Sequence, residues 1–191
     1  MPIGLTRVTI GVPRVGINCA FCHTASVRTS PDGDRMLVPG GPANRTSPQG
    51  YLRFLAACAS DPRFTPDVIL GEIARSYRLS AFERAMYRFA IIPRTQRQLV
   101  RLKEQFAWMD TRPDAGAGRV DRFNPSKFDY LRQPMDDTIG NADMPGLWNL
   151  AAREGRGYHW DGLETSLQEV VLSSALGDGA TASWLDRDFA R

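Results

Sequence analysis

Apolar residues recur at helical spacing through much of the chain, and several segments begin with a recognisable helix start. Ser47-Pro48 and Thr65-Pro66 each place a capping side chain before a proline at the first helical position. Ser80 is a similar cap for a third helix, which we expect to end at Pro93. The same periodicity predicts a fourth helix over about 94–109 and a last one over about 166–176.

The segments between these helices are irregular. Residues 29–47 and 111–124 are rich in Gly and Pro, and no alternating stretch of sufficient length predicts a strand. The chain holds 17 Gly and 13 Pro, so its helices must be short and separated by long loops. Such loops are uncommon unless a cofactor or a partner organises them. The predicted fold class is therefore all-α.

Composition and charge exclude some classes of function. The 191 residues are 42% hydrophobic and 24% charged, as in an ordinary soluble globular protein, and no apolar run is long enough to span a membrane. A formal net charge of +3 is too small to argue for nucleic acid as a partner. The informative numbers are the small ones, three Cys and two His.

Two of those Cys and one His lie together in Cys19-Ala20-Phe21-Cys22-His23, which we call the anchor motif. Cys-x-x-Cys-His is the attachment sequence of c-type haem. On a helical turn Cys19 and Cys22 share a face, so both sulfurs can form thioether bonds to one edge of the porphyrin, with His23 beside them as proximal iron ligand. The motif predicts one covalently attached haem c, inside a cytochrome c-like set of short helices and wrapping loops.

Two other chemistries use similar residues. A thioredoxin-like dithiol needs a strand before the motif and an α/β pattern after it, and neither is evident. A zinc site of Cys19, Cys22, Cys58 and His159 has the right donor types, but its third and fourth ligands are isolated in sequence. Cys58 lies on the apolar side of a predicted helix, which favours a buried inert thiol.

The sixth iron ligand stays open between two residues. His159 is a candidate for the distal ligand, for an acid/base group near the iron, or for a hydrogen-bonded loop residue. Met144, in a rigid Asp-Met-Pro-Gly segment, is the best-placed methionine, and Met36 is second. Met86 and Met109 lie on apolar helical stripes and are expected in the core.

Two surface properties follow from the same sequence. Four basic side chains of the fourth helix form either a local docking face or a solvated helix face: Arg94, Arg97, Arg101 and Lys103. The first thirteen residues lack the features of a secretory signal. Because c-type haem is attached outside the cytoplasm, we expect a periplasmic or other extracytoplasmic chain whose signal has been removed or truncated.

Three later segments add a resemblance to a family. Met144-Pro145-Gly146-Leu147-Trp148-Asn149-Leu150, Tyr158-His159-Trp160-Asp161-Gly162 and Ser166-Leu167-Gln168-Glu169-Val170-Val171 resemble the bacterial di-haem cytochrome c peroxidases. The Trp-Asp-Gly form, followed by Leu172-Ser173-Ser174-Ala175-Leu176-Gly177, is closer to the rubber-oxygenase branch of that superfamily. The likeness covers about 11–30 and 140–180.

The resemblance implies a haem-dependent peroxidase or oxygenase with one haem per domain. Trp160 then takes the place of the aromatic residue that relays electrons between haems, although a packed core indole is the alternative. The chain has a single Cys-x-x-Cys-His, so the second haem domain is missing or never existed. Met-His-Asp-Gly of the peroxidases is replaced by His-Trp-Asp-Gly, so the family's sixth ligand does not transfer.

These observations predict that residues 1–191 are a single c-type haem domain that ends before a second one. In this hypothesis His159 and Trp160 line the catalytic side, peroxide or oxygen is the substrate, and a redox partner or second haem domain exchanges electrons. A mono-haem electron carrier without its own catalysis is the alternative. A gas-sensing module with an open iron is a third hypothesis.

Overall fold

The computed structural model describes residues 1–10, 12–42, 44–159 and 162–177. Over that part of the chain the fold is mixed α/β, with six α-helices (46% helical) and three small antiparallel sheets (15% strand). The all-α prediction is therefore wrong. Each sheet has only two short strands, and most of their side chains are exposed. Alternation of apolar and polar residues marks a strand that has one buried face. Because few side chains of these strands are buried, their sequences show little of that alternation.

The strands form three antiparallel pairs in chain order, which we call the hairpins, and residues 122–140 lie between the strands of the third. β1 with β2 joins Leu5 to Ile17, β3 with β4 joins Thr24 to Pro39, and β5 with β6 joins Arg119 to Asp143. The bounds of the strands are β1 Leu5–Ile10, β2 Val12–Ile17, β3 Thr24–Val27, β4 Met36–Pro39, β5 Arg119–Asp121 and β6 Asn141–Asp143.

The helices include two π-helical turns, Tyr87–Ile91 and Ser126–Tyr130, and two 3₁₀ turns, Ala107–Thr111 and Ala151–Arg153. The α-helical bounds are α1 Cys19–Cys22, α2 Pro48–Ser60, α3 Pro66–Ser76, α4 Ala81–Met86, α5 Ile92–Gln105 and α6 Leu167–Gly177. None of the helices in the described ranges is long and apolar enough to cross a membrane.

The predicted helix starts are confirmed by their caps. Ser47 Oγ accepts a hydrogen bond from Gly50 N, and Thr65 Oγ1 accepts one from Val68 N. Ser80 forms a reciprocal capping box with Glu83. These side chains satisfy backbone N–H groups that the first helical turn leaves without partners, so a local sequence signal is enough to fix each start.

The expected break at Pro93 does not occur. α4 continues through the π-helical turn Tyr87–Ile91 into α5, and Pro93 lies in the first turn of α5. A proline in a first turn lacks only an N–H that the helix does not need, and the π-helical turn supplies the register change before it. Met109 is buried as expected, but Met86 is partly exposed and is not a core residue.

The chain forms two compact units. Unit 1 combines Met1–Thr46 with the chain from Ala117 onward, and unit 2 is Ser47–Gly116. Unit 2 contains α2 to α5. Its buried apolar residues lie on α2, α3, α5, the 3₁₀ turn Ala107–Thr111 and the loop after it: Ala56, Ala59, Leu70, Ile92, Trp108, Met109 and Ala115. Gln96 of α5 donates to Ala59 O at 3.0 Å, which ties α5 to α2.

Unit 1 contains the three hairpins, the anchor motif and α6. Among its described residues only four apolar side chains are buried, and three polar ones accompany them: Ala25, Phe128, Met144 and Tyr158, with Asn44, Asp121 and Asn124. Asn124 Nδ2 donates to Asp121 Oδ2 and to Thr138 O, so this polar cluster is held by short hydrogen bonds. Unit 1 is therefore held together more by hydrogen bonds between distant loops than by apolar packing.

Candidate functional site

The anchor motif begins on a short capped helix. Asn18 Oδ1 accepts from Ala20 N at 3.0 Å, and Asn18 Nδ2 donates to Thr6 Oγ1 at 2.7 Å, which joins the motif to β1. His23 N donates to Cys19 O at 2.9 Å and ends the turn. The helical turn expected for Cys19 and Cys22 is therefore present as α1. Neither cysteine is in a disulfide, and Cys19 is exposed whereas Cys22 is half-buried.

The imidazole of His23 is held by a residue 122 positions away. Its Nδ1 lies 2.8 Å from the backbone oxygen of Pro145. A carbonyl oxygen only accepts hydrogen bonds, so this contact requires the proton on Nδ1 and leaves the Nε2 lone pair available. A histidine that binds a metal through one ring nitrogen commonly donates from the other to a carbonyl in this way.

The backbone around His23 is fixed by a second set of contacts. Gly40 N donates to His23 O at 2.5 Å, and Leu147 N donates to Gly40 O at 2.7 Å. With the Nδ1–Pro145 contact these bonds close a ring, which we call the inner ring. Gly40 has a φ of +73°, a conformation that glycine adopts without strain. The inner ring brings together the anchor motif, the end of β4 and the segment 145–147.

The residues around the anchor motif fit a haem in their chemistry. Two cysteines outside any disulfide and one imidazole with an available Nε2 are the residue types that the group needs. Two large apolar side chains near the motif, Ile17 and Trp148, are 54% and 55% exposed. Trp148 Nε1 lies 3.4 Å from Pro39 O, so its indole stands beside the inner ring.

The zinc alternative gains no support. Over the described residues no group of three or more His, Cys, Asp or Glu side chains is arranged to hold a metal ion. Cys58 is half-buried on α2, which agrees with a packing role more than with a ligand role.

Met144 is buried, with 8% of its surface exposed, and its backbone N donates to Gly118 O at 2.9 Å. It directly precedes Pro145, so it belongs to the segment that contacts His23 Nδ1. Met36 lies on β4 and is exposed.

His159 lies in a constrained turn. Its φ is +62°, an unusual value for a residue with a side chain, and a bridge between Tyr158 and Glu164 closes the turn around it. His159 Nδ1 lies 2.6 Å from Glu164 Oε2, and about a third of the imidazole is exposed. Non-glycine residues in this conformation concentrate at functional sites, where surrounding structure holds them in place. Trp160, the other predicted catalytic residue, lies outside the described residues.

The basic side chains of the fourth predicted helix lie on α5. Arg94, Arg97, Arg101 and Lys103 are all exposed, and the opposite stripe, which includes Leu99 and Leu102, is more enclosed. This distribution is that of an amphipathic helix with a solvated basic face. A docking role for that face stays a prediction.

Several residues of the site give no signal in the sequence. Pro145 and Gly40 contact His23 through backbone atoms, so their side chains carry no chemical signature. Asn44 and Thr46 hold backbone oxygens next to the motif, and Gly118 connects to Thr46. The prolines and glycines of the loops were the available signal, because loops of that length need something to organise them.

Comparison of the chain with protein-family models, with curated protein sequences and with solved structures finds no match.

Proposed function

We propose that unit 1 binds one haem c through the anchor motif and that the chain is an electron-transferring oxidoreductase. The observation that carries this proposal is the contact between His23 Nδ1 and Pro145 O, at 2.8 Å. It selects the tautomer whose Nε2 is available to bind iron, immediately after the two cysteines of the motif, neither of which is in a disulfide.

Each residue of the motif has one role in this proposal. Cys19 and Cys22 are the covalent anchors, and His23 is the proximal ligand through Nε2. Pro145 orients the imidazole and increases its electron donation, because a hydrogen bond at Nδ1 makes the other nitrogen more basic. Bound haem supplies an iron that changes between ferric and ferrous states and that reacts with peroxide or oxygen where a position is open.

The packing of unit 1 supports a large apolar cofactor. Only four of its described apolar side chains are buried, and apolar residues beside the motif are exposed. A covalently held porphyrin would cover apolar surface that this unit does not bury by itself.

For the sixth position we favour His159 over Met144. Met144 is joined to Pro145, whose oxygen contacts His23 Nδ1, so Met144 would support the proximal ligand and would not supply the second one. His159 Nδ1 lies within ion-pair distance of Glu164 Oε2, at 2.6 Å, so Nε2 is the nitrogen that we propose acts at the iron. This pair is suited either to iron ligation or to proton transfer through Nε2.

The reaction we propose is that of the haem domain of a di-haem peroxidase or oxygenase-like oxidoreductase, with peroxide or oxygen as substrate. The His159–Glu164 pair and the resemblance of residues 140–180 to the di-haem peroxidases support it. Electrons would come from a redox partner or a second haem domain. An extracytoplasmic location follows, because c-type haem is attached there.

A mono-haem electron carrier is the second candidate. These 191 residues contain one Cys-x-x-Cys-His, so this candidate needs only the one haem that they can attach. A carrier needs both axial positions filled, so His159 would then be an iron ligand and not an acid/base group.

Haem staining of a denaturing gel tests the cofactor. The full chain is expressed with an export signal and the c-type maturation machinery, beside a Cys19→Ser/Cys22→Ser variant and a matched Cys58→Ser control. We expect staining of the parent and of Cys58→Ser and none of the double variant. An unstained parent, or a stained double variant, contradicts the proposal.

Visible spectra test the reaction. A high-spin ferric spectrum that changes on addition of peroxide, with carbon monoxide binding to the reduced form, supports the peroxidase-like candidate. A fully low-spin spectrum that resists carbon monoxide supports the carrier. His159→Ala should convert a low-spin spectrum to high-spin if His159 is the sixth ligand, and an unchanged low-spin spectrum rules that ligand out.

A further inference from the structure

A second and larger set of contacts runs around the anchor motif. Thr46 Oγ1 donates to Phe21 O at 2.9 Å, and Gly118 N donates to Thr46 O at 2.8 Å. Met144 N donates to Gly118 O at 2.9 Å. Met144 is followed by Pro145, whose oxygen accepts from His23 Nδ1, and His23 follows Phe21 by two residues. These contacts close a ring through four distant parts of the chain, which we call the outer ring.

The side chain of Thr46 is the only side-chain donor in the outer ring apart from His23 itself. The other links are backbone hydrogen bonds. Asn44 braces Thr46 from behind, since its Oδ1 accepts from Thr46 N at 2.7 Å and its Nδ2 donates to Thr24 O at 2.7 Å. Asn44 is buried, so these bonds are shielded from water. Both oxygens that the pair binds, on Phe21 and Thr24, flank the Cys22-His23 peptide.

We infer that Thr46, supported by Asn44, is a positioning residue for the iron ligand His23. Thr46 is connected to His23 by two routes. Its hydroxyl bonds Phe21 O, two residues before His23, and its backbone oxygen is linked through Gly118 and Met144 to Pro145, whose oxygen contacts His23 Nδ1. Its hydroxyl therefore sets where Pro145 O lies relative to Nδ1. Because a bent or lengthened hydrogen bond weakens steeply, a small displacement changes the electron donation of the imidazole.

This inference rests on the proposed function for its consequence, because the electron donation matters only when haem is bound. Its structural part does not depend on haem. The chain without cofactor also has a neutral His23, and the fraction of its Nδ1–H tautomer measures the Nδ1–Pro145 contact directly. The two proposals therefore succeed or fail separately.

The test uses Thr46→Val, which keeps the shape of the side chain and removes the hydroxyl. Thr46→Ser restores the donor. The matched control is Thr24→Val, since Thr24 Oγ1 is buried one residue after His23 and has no hydrogen-bond partner. Ring ¹⁵N shifts of the full chain without haem, at a pH about two units above the ordinary imidazole pKa, give the ratio of the two neutral tautomers.

We expect Thr46→Val to lower the ratio of Nδ1–H to Nε2–H tautomer about fivefold, as for one hydrogen bond. Thr46→Ser and Thr24→Val should keep the parent ratio. In the haem-loaded chain Thr46→Val should raise the reduction potential of the iron, and Thr46→Ser should return it. A parent-like ratio in Thr46→Val, or an equal fall in Thr24→Val, overturns the inference.

A second variant covers the case in which Thr46→Val does not fold. Asn44→Asp keeps an oxygen for Thr46 N and loses the donor to Thr24 O, so it should lower the tautomer ratio in the same direction by a smaller factor. An unchanged ratio in Asn44→Asp then overturns the inference. A changed ratio in a chain that never takes up haem leaves the positioning role intact and contradicts the proposed function alone.

Discussion

The two units of this chain reach order by different means. Unit 2 is helical, and residues such as Leu70 and Ile92 are buried among its helices. Unit 1 is built from short hairpins and loops, and its order comes from hydrogen bonds such as the inner and outer rings. A helical unit satisfies its backbone locally and gains stability from apolar burial, whereas a loop-rich unit must find its backbone partners far along the chain.

The difference lies in how much apolar surface each unit buries. Unit 2 has buried apolar residues on three of its helices, although it also exposes large apolar side chains such as Phe82 and Phe89. Unit 1 has fewer buried apolar residues over its described length, and Ile17 and Trp148 are exposed there. Its balance of charge also differs, because residues 47–116 hold eleven Arg and Lys against seven Asp and Glu, whereas the rest of the chain is nearly balanced. The excess of positive charge therefore lies in unit 2, whereas the anchor motif lies in unit 1.

The largest expected effect is the loss of a core side chain from unit 2. Ile92 has 4% of its surface exposed, and Ile92→Ala should destabilise the unit by about 2–5 kcal/mol, because it removes buried surface and leaves a cavity. Hydrogen exchange of the α2 and α5 amides measures the loss. Val100→Ala, at an exposed position of the same helix, is the control and should cost less than about 0.5 kcal/mol. Equal losses from both variants contradict a core built by α5.

A smaller effect is expected from a glycine of unit 1. Gly118 has a φ of +76°, and a Cβ there would lie 2.3 Å from Asn44 O, so Gly118→Ala should cost about 3 kcal/mol and open the outer ring. Gly155 also has a φ of +76° but nothing lies near its Cβ position. Gly155→Ala should therefore cost about 1 kcal/mol, from backbone conformation alone. Protection of the Gly118 and Met144 amides against exchange measures the difference, and equal protection in both variants argues against the ring.

The smallest effect is a pH dependence shared by the two units. A hydrogen bond from Arg63 lowers the pKa of Asp61 in unit 2 to about 2, and one from Lys127 lowers the pKa of Asp136 in unit 1 to about 2. The ordinary pKa of both carboxyl groups is 3.8. A depressed folded pKa means that the unfolded chain binds protons first, so the stabilisation is present above about pH 4 and is lost towards pH 2.

Carboxyl-carbon NMR titration tests this pair of pKa values. Asp61→Asn and Asp136→Asn should each remove one low midpoint and leave the other in place. Midpoints near the ordinary aspartate value in the parent chain contradict the two ion pairs. Both groups are at the surface, so added salt should weaken the effect in both units.

The sequence predicted those parts whose cause is local. The caps at Ser47, Thr65 and Ser80 fix helix starts because each accepts a hydrogen bond from the backbone N–H three residues ahead. The anchor motif likewise predicts α1 from five adjacent residues. Pro93 misled the prediction because its effect depends on whether it falls in a first turn or an interior turn, which the preceding π-helical turn decides.

The parts that the sequence could not predict depend on long-range contacts. The bond between His23 and Pro145 spans 122 residues and uses a backbone oxygen that every residue has. Gly118 gives no chemical signal, and its importance comes from the oxygen of Asn44 beside it. The hairpins were missed because most of their side chains are exposed, which removes the alternation that marks a strand.

Mass mapping of the full chain after haem maturation is the most direct test of the central claim, that the anchor motif holds a haem. The protein is denatured, treated with a thiol-alkylating reagent and digested. We predict that the peptide with Cys19 and Cys22 carries the mass of one haem and no alkyl group, whereas Cys58 is alkylated. Alkylation of all three cysteines, with no haem on any peptide, would contradict the account.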